Sequence, residues 1–291
     1  MKNTIFKGCG TALITPFATD GVDFPALEKL IRFQLSEGVD ALIVCGTTGE
    51  PATMSAEEKE AVIKFVIKKV KKRVPVIAGA GSNSTDATVK AAINAEAWGA
   101  DAVLIVTPYY NKCTQGGLVA HFNAVADAIN IPIIAYNVPG RTNVNLLPAT
   151  FRKLAEHKNI VAIKEASGNM EQISETARLC EGLADVYSGD DGIIVPIMSV
   201  GGQGVISVAS NVIPRYMHDL TAAWLQGDTA KARDMQLKVL PLIKALFAEV
   251  NPIPVKKASE IMGLTNGLVR LPLTELSSEN TAVLAELLKQ F

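Results

Sequence analysis

Ile160-Val161-Ala162-Ile163-Lys164 is a short run of apolar, mostly β-branched residues that stops on a lysine. A run of this length and composition predicts a buried strand. Working outward in both directions, the same kind of run recurs at 11–15, 41–44, 76–78, 102–106, 133–136, 186–188 and 204–207. With 161–164 that makes eight strands. Between them lie longer amphipathic segments at 24–37, 56–71, 86–98, 118–128, 148–157, 170–180 and 192–200, which predict helices. Ser55 with Glu58 three residues on forms a capping box for the second of these.

The alternation carries a weak internal repeat. Glu37-Gly38-Val39-Asp40-Ala41 returns as Trp98-Gly99-Ala100-Asp101-Ala102, and Val74-Pro75-Val76-Ile77-Ala78 as Ile131-Pro132-Ile133-Ile134-Ala135. In both pairs each copy opens a strand, where a proline needs no ladder donor. Eight strand–helix units predict an α/β protein, a (β/α)8 TIM barrel over residues 1–225. A doubly wound open sheet is the competing topology, but no G-x-G-x-x-G turn follows the first strand. About 80 residues remain after the eighth strand, with helical patterns at 214–226, 229–247, 255–262 and 280–291. Residues 226–291 predict a helical segment packed on the barrel, since no polar linker marks an independent domain.

Composition narrows the function classes. The 291-residue chain is 48% hydrophobic, yet no uncharged apolar run is long enough to span a membrane. The start, Met1 to Phe6, lacks the long apolar segment of a leader peptide. Net charge is −1 with no basic stripe, which argues against nucleic acid as a partner. Cys9, Cys45, Cys113 and Cys180 show neither metal nor redox spacing and read as reduced thiols in a cytoplasmic protein. His121, His157 and His218 stand apart from one another and from any acidic cluster, so no zinc site is expected.

A lysine closing a buried strand needs a reason, because an ammonium is costly to remove from water. It either pairs with an acid or sheds its proton and becomes a nucleophile. Glu165 is a poor partner, since adjacent strand residues face opposite ways. An ordinary lysine keeps well under ~1% neutral amine at pH 7, whereas a downward shift of ~3 units leaves roughly a quarter neutral. From Lys164 alone, the structural and catalytic readings weigh equally.

Barrel enzymes work at the carboxyl ends of their strands, and the unusual polar residues of this chain collect there. Gly46-Thr47-Thr48-Gly49 follows the second strand and reads either as a cradle for a small carboxylate or as a plain tight turn. Tyr109 and Tyr110 follow the fourth strand, and one of them is expected to be packing. Tyr136 ends the fifth strand beside Lys164, where a phenol can shuttle protons during carbinolamine formation. Arg141, in a Pro-Gly-Arg-Thr turn, suits a bidentate grip on a carboxylate. Asp190-Asp191 after strand seven reads as a helix cap rather than a cation site. Gly201-Gly202-Gln203-Gly204 precedes strand eight, at the opposite rim, and reads as packing.

Taken together, Gly46-Thr47-Thr48-Gly49-Glu50, Tyr136-Asn137-Val138-Pro139-Gly140-Arg141-Thr142 and Ile163-Lys164-Glu165 resemble the pyruvate-dependent class I aldolase superfamily. Within it the chain is similar to the dihydrodipicolinate synthase family, nearly end to end, including Ser188-Gly189-Asp190-Asp191 and Gly204-Val205-Ile206-Ser207. The resemblance implies a lyase of lysine and diaminopimelate biosynthesis in which pyruvate forms a Schiff base with Lys164 and the enamine attacks L-aspartate 4-semialdehyde. It implies no cofactor beyond that covalent adduct. It assigns Thr48, helped by the Thr47 amide, to the pyruvate carboxylate, and Tyr136, Thr47 and Tyr110 to a proton relay. Tyr110 would come from an adjacent subunit, so a homo-oligomer is expected, commonly a tetramer built as a dimer of dimers. Arg141 would bind the semialdehyde carboxylate, with Gly189 and the Ile206 carbonyl also against substrate. N-acetylneuraminate lyase and the 2-keto-3-deoxy-acid aldolases share the lysine and tyrosine but typically lack the Gly-Arg-Thr turn. One departure matters. Lysine-inhibited members carry a histidine pair and a glutamate where this chain has Ala56, Lys59 and Ala87, although Asn83 and Tyr109 remain. A cationic Lys59 opposes an incoming lysine, which predicts weak or absent feedback inhibition at millimolar L-lysine.

Overall fold

A computed structural model describes residues 3–291; Met1 and Lys2, part of the chain start considered above, lie outside them. Eight parallel strands close into a barrel. They are β1 (Gly8–Ala12), β2 (Ala41–Val44), β3 (Val76–Gly79), β4 (Ala102–Val106), β5 (Ile133–Asn137), β6 (Ile160–Glu165), β7 (Asp185–Ser188) and β8 (Gly204–Ser207). Each pairs with its neighbours in chain order, and β8 returns to β1. A small hairpin, Phe17–Ala18 against Gly21–Val22, follows β1.

Around the barrel run α1 (Phe24–Ser36), α2 (Ala56–Val70), α3 (Thr85–Ala97), α4 (Gln115–Ala128), α5 (Pro148–Leu154), α6 (Met170–Cys180), α7 (Ile194–Ser199) and α8 (Pro214–Leu225). Three more helices follow: α9 (Thr229–Leu246), α10 (Ile253–Ile261) and α11 (Ser278–Leu288). The first of these packs on α8. The capping box of α2 is formed, with Ser55 and Glu58 each bonding the other's backbone amide. No helix among the described residues is long and apolar enough to cross a membrane.

Strand alternation sorts the core into two layers. Ala41 and Ile43, Ala102 and Leu104, Ile134 and Tyr136, and Ala162 point into the barrel with Tyr187 and Ile206. The alternate residues, such as Leu42, Val103, Ala135 and Ile163, pack outward against the helices. The first strand departs from expectation: it covers Gly8–Ala12, not 11–15. Its glycines depress strand propensity but are needed for close approach. A Cβ at Gly10 would meet the Phe6 ring at 2.8 Å, and one at Gly204 would meet the Gly8 carbonyl at 1.9 Å. Phe6 plugs the barrel floor, stacked on Tyr187 at 4.4 Å; in the Gly201–Gly204 stretch it is Gly202, where a Cβ would meet Ile197 at 2.8 Å, and Gly204 that serve the packing anticipated there. Helix α4 begins three residues earlier than its apolar pattern, because the Thr114 side chain caps it by accepting from the Gly117 amide.

Candidate active site

Register brings the two central side chains together. Tyr136 of β5 pairs directly with Lys164 of β6, so both point into the barrel at its carboxyl end. The Lys164 Nζ lies 4.3 Å from the centre of the Tyr136 ring. Lys164 is 5% exposed, and burial lowers its pKa to about 8. The negative charge of Asp191 works against that shift and the positive charge of Arg141 adds to it. At such a value roughly a tenth of the amine is neutral at pH 7. Burial pushes the Tyr136 phenol up to about 12, opposed by Arg141 and by a hydrogen bond with Thr47, so it stays protonated as a donor.

Room for the lysine comes from the residue that follows β7. A Cβ at Gly189 would fall 2.9 Å from the Lys164 Cε and 3.1 Å from the Glu165 carbonyl. The Gly189 amide donates to that same carbonyl at 2.7 Å. Glu165 faces away from Lys164, as strand alternation requires. Its carboxylate accepts from Asn137 Nδ2 at 3.1 and 3.2 Å and from the Ser167 amide at 2.8 Å. This clamp ties the exits of β5 and β6, and burial raises the Glu165 pKa. Asp190 caps the turn after β7, accepting from the Gly192 amide at 2.8 Å. Asp191 does something other than the capping expected of it. It is buried, and its Oδ2 accepts from the Val208 and Ala209 amides at 2.9 Å each, joining the β7 exit to the β8 exit beyond Ile206.

Thr47–Gly49 forms a single 3₁₀ turn, with the Gly49 carbonyl held by the Thr15 hydroxyl at 2.8 Å. Thr48 is buried, and its Oγ1 accepts from Asn251 Nδ2 at 3.0 Å. Arg141, in the helical turn Pro139–Thr142, is exposed and donates from Nη2 to the Asn251 carbonyl at 3.1 Å. Asn251 therefore links the two loops that sequence reading had picked out separately. That reading missed it, and the only local signal was a polar residue before proline in an otherwise helical region. Cys45, Glu50 and Tyr110 all adopt left-handed backbone conformations, with φ of 55°, 55° and 71°. Non-glycine residues in that region tend to gather at functional sites.

Lys164, Tyr136, Thr47, Thr48, Gly189 and Arg141 thus converge on one mouth, with Ile206 on the barrel's inner surface. Tyr110 does not join them within one chain: it is 89% exposed, and Tyr109 is 39% exposed. Neither ring is packed in the interior, contrary to the expectation for one of the pair. Ala56 and Lys59 lie in the first turns of α2, and Ala87 in the first turn of α3.

A profile of the Dihydrodipicolinate synthetase family matches residues 5–291. The chain belongs to this family. It is 54% identical over 289 residues to the 4-hydroxy-tetrahydrodipicolinate synthase of Caldicellulosiruptor bescii, covering 99% of this chain and 98% of that one. The solved dihydrodipicolinate synthase of Thermotoga maritima is similar at a TM-score of 0.97 and 44% identity, covering 99% of both chains. A chloride-inhibited dihydrodipicolinate synthase from Acinetobacter baumannii, solved complexed with pyruvate, is similar at 0.96 and 43%, covering 98% of both. As a member of the dihydrodipicolinate synthetase family, the chain is an enzyme, a Schiff-base-forming lyase.

Proposed function

We infer that this chain condenses pyruvate with L-aspartate 4-semialdehyde to give 4-hydroxy-tetrahydrodipicolinate, on the path to diaminopimelate and lysine. The observation that carries the reading is the neutral-prone Lys164 amine, buried beside Tyr136 at the carboxyl end of a closed barrel. Lys164 attacks the keto carbon of pyruvate, and the carbinolamine loses water to an iminium. A methyl proton then leaves, giving an enamine whose carbon attacks the aldehyde. The amino group of the second substrate displaces Lys164 as the ring closes, returning the free amine.

The remaining roles follow the chemistry of each side chain. Tyr136, Thr47 and Tyr110 pass protons, and the high pKa of Tyr136 suits it to donate first. Thr48 and the Thr47 amide hold the pyruvate carboxylate. Arg141 holds the carboxylate of the semialdehyde, which a sugar acid would not present in the same place. Gly189 and the Ile206 carbonyl border the bound molecules. With Tyr110 projecting from its own chain, the complete site draws this residue from a second copy, in a homo-oligomer read as a tetramer of two tight dimers. A cytoplasmic setting suits the scattered cysteines. Lys59 near the start of α2 supports weak or absent inhibition by L-lysine.

A steady-state assay tests the specificity. Turnover of aspartate semialdehyde with pyruvate, and none of N-acetylneuraminate, is the expected result; the reverse preference would overturn the assignment. Arg141→Ala should raise KM for the semialdehyde about tenfold or more while adduct formation with pyruvate continues. Equal damage to both half-reactions would contradict its role.

A further inference from the structure

The turn that carries Thr47 and Thr48 ends on Glu50, a buried residue with φ of 55°. Its carboxylate forms an ion pair with Lys256 of α10, and the two side chains are 3% and 1% exposed. The Lys256 Nζ also donates to the Leu268 carbonyl at 2.6 Å, and the Arg270 amide donates to Glu50 Oε2 at 3.1 Å. Arg270 then forks onto Glu58 in the first turn of α2, at 2.7 and 2.5 Å, and donates to the Thr53 carbonyl at 2.9 Å. The Phe17 ring lies against both cations, 4.1 Å from Lys256 and 4.0 Å from Arg270. All but the Lys256–Leu268 bond join the segment after α9 to the loops following β1 and β2 or to the first turn of α2.

A lysine and a glutamate buried this deeply gain little net stability over an apolar pair of the same size. The pair calls for another explanation, and its position supplies one. We propose that the Glu50–Lys256 pair is a positioning device for the keto-acid subsite, fixing the end of the Thr47–Gly49 turn so that Thr48 and the Thr47 amide are preset for a carboxylate. The inference rests on the reading of Thr48 given above. Neither Glu50 nor Lys256 touches substrate; both act through the turn.

The test replaces both charges together, since a lone buried charge would unfold the region. Glu50→Gln with Lys256→Met should raise KM for pyruvate about tenfold or more, because a mispositioned subsite loses binding energy. kcat at saturating pyruvate should stay within about threefold, and the melting temperature close to the parent's. A folded double variant with the parental pyruvate KM would overturn the proposal. The parent protein offers a measurement that does not depend on the variant folding. Burial lowers the Lys256 pKa to about 8, so its charge fades above that pH. Hydrogen exchange of the 47–50 amides, corrected for intrinsic rates, should lose protection between pH 7 and 9.5 while amides 139–142 do not. Unchanged protection at 47–50 would contradict the proposal. Failure of the parent to trap pyruvate on Lys164 would instead remove the subsite reading beneath it.

Discussion

Lys164 holds an amine in a place where its charged form is disfavoured. A drop from the ordinary lysine value to about 8 corresponds to roughly 3 kcal/mol against the ammonium. Because the folded pKa lies below the unfolded one, the penalty is full below about pH 8 and fades as pH rises towards ~10. The same shift sets the sign of the catalytic pH dependence. Only the neutral amine attacks, so the initial rate of adduct formation with subsaturating pyruvate should climb between pH 6 and about 8. A rate independent of pH over 6–8 would contradict the assigned nucleophile. Asp191 fits the same logic from the other side. Its charge favours the protonated lysine, and it would equally favour the iminium that replaces it.

At the scale of elements, the barrel delivers chemistry through pairing register and loop length. The match of Tyr136 with Lys164 across β5 and β6 needs both strands to end together, which the Asn137–Glu165 clamp secures. Gly189, just past the end of β7, completes the cradle. Gly189→Ala should lower kcat/KM for pyruvate about a hundredfold, since its methyl would displace Cε from the attack position. Parental kinetics in a folded Gly189→Ala protein would show that the lysine tolerates the intrusion. Much of this architecture was legible in the sequence because buried strands and amphipathic helices alternate with so little interruption. β2, β4 and β8 fall where their apolar runs lie. β1 was not legible, because Gly8 and Gly10 matter only once Phe6 and β8 approach them. The part played by α10 was hidden for a different reason. Lys256 in an amphipathic helix resembles a solvated residue until Glu50, over two hundred positions away, is seen against it. Asp191 was misassigned because a carboxylate after a strand usually caps the next turn, a role its neighbour Asp190 had already filled.

The whole molecule is a closed barrel whose mouth is finished by its own C-terminal helices and, on the proposed reading, by a second copy. Tyr110 reaches into solvent from a left-handed residue, which no contact among the described residues explains. If it serves a neighbouring site, Tyr110→Phe and Lys164→Ala proteins should complement each other. Each mixed dimer would then hold one intact site, and mixing the two inactive or weakened proteins after dissociation should restore activity. No recovery would assign Tyr110 to its own chain. The central claim concerns covalent chemistry at one amine and is tested most directly by reducing the protein with borohydride in the presence of pyruvate and weighing the product. A stable mass gain matching one reduced pyruvyl group, mapped to Lys164 and absent in Lys164→Ala, is the predicted result. An unmodified protein, or an adduct on another lysine, would contradict it.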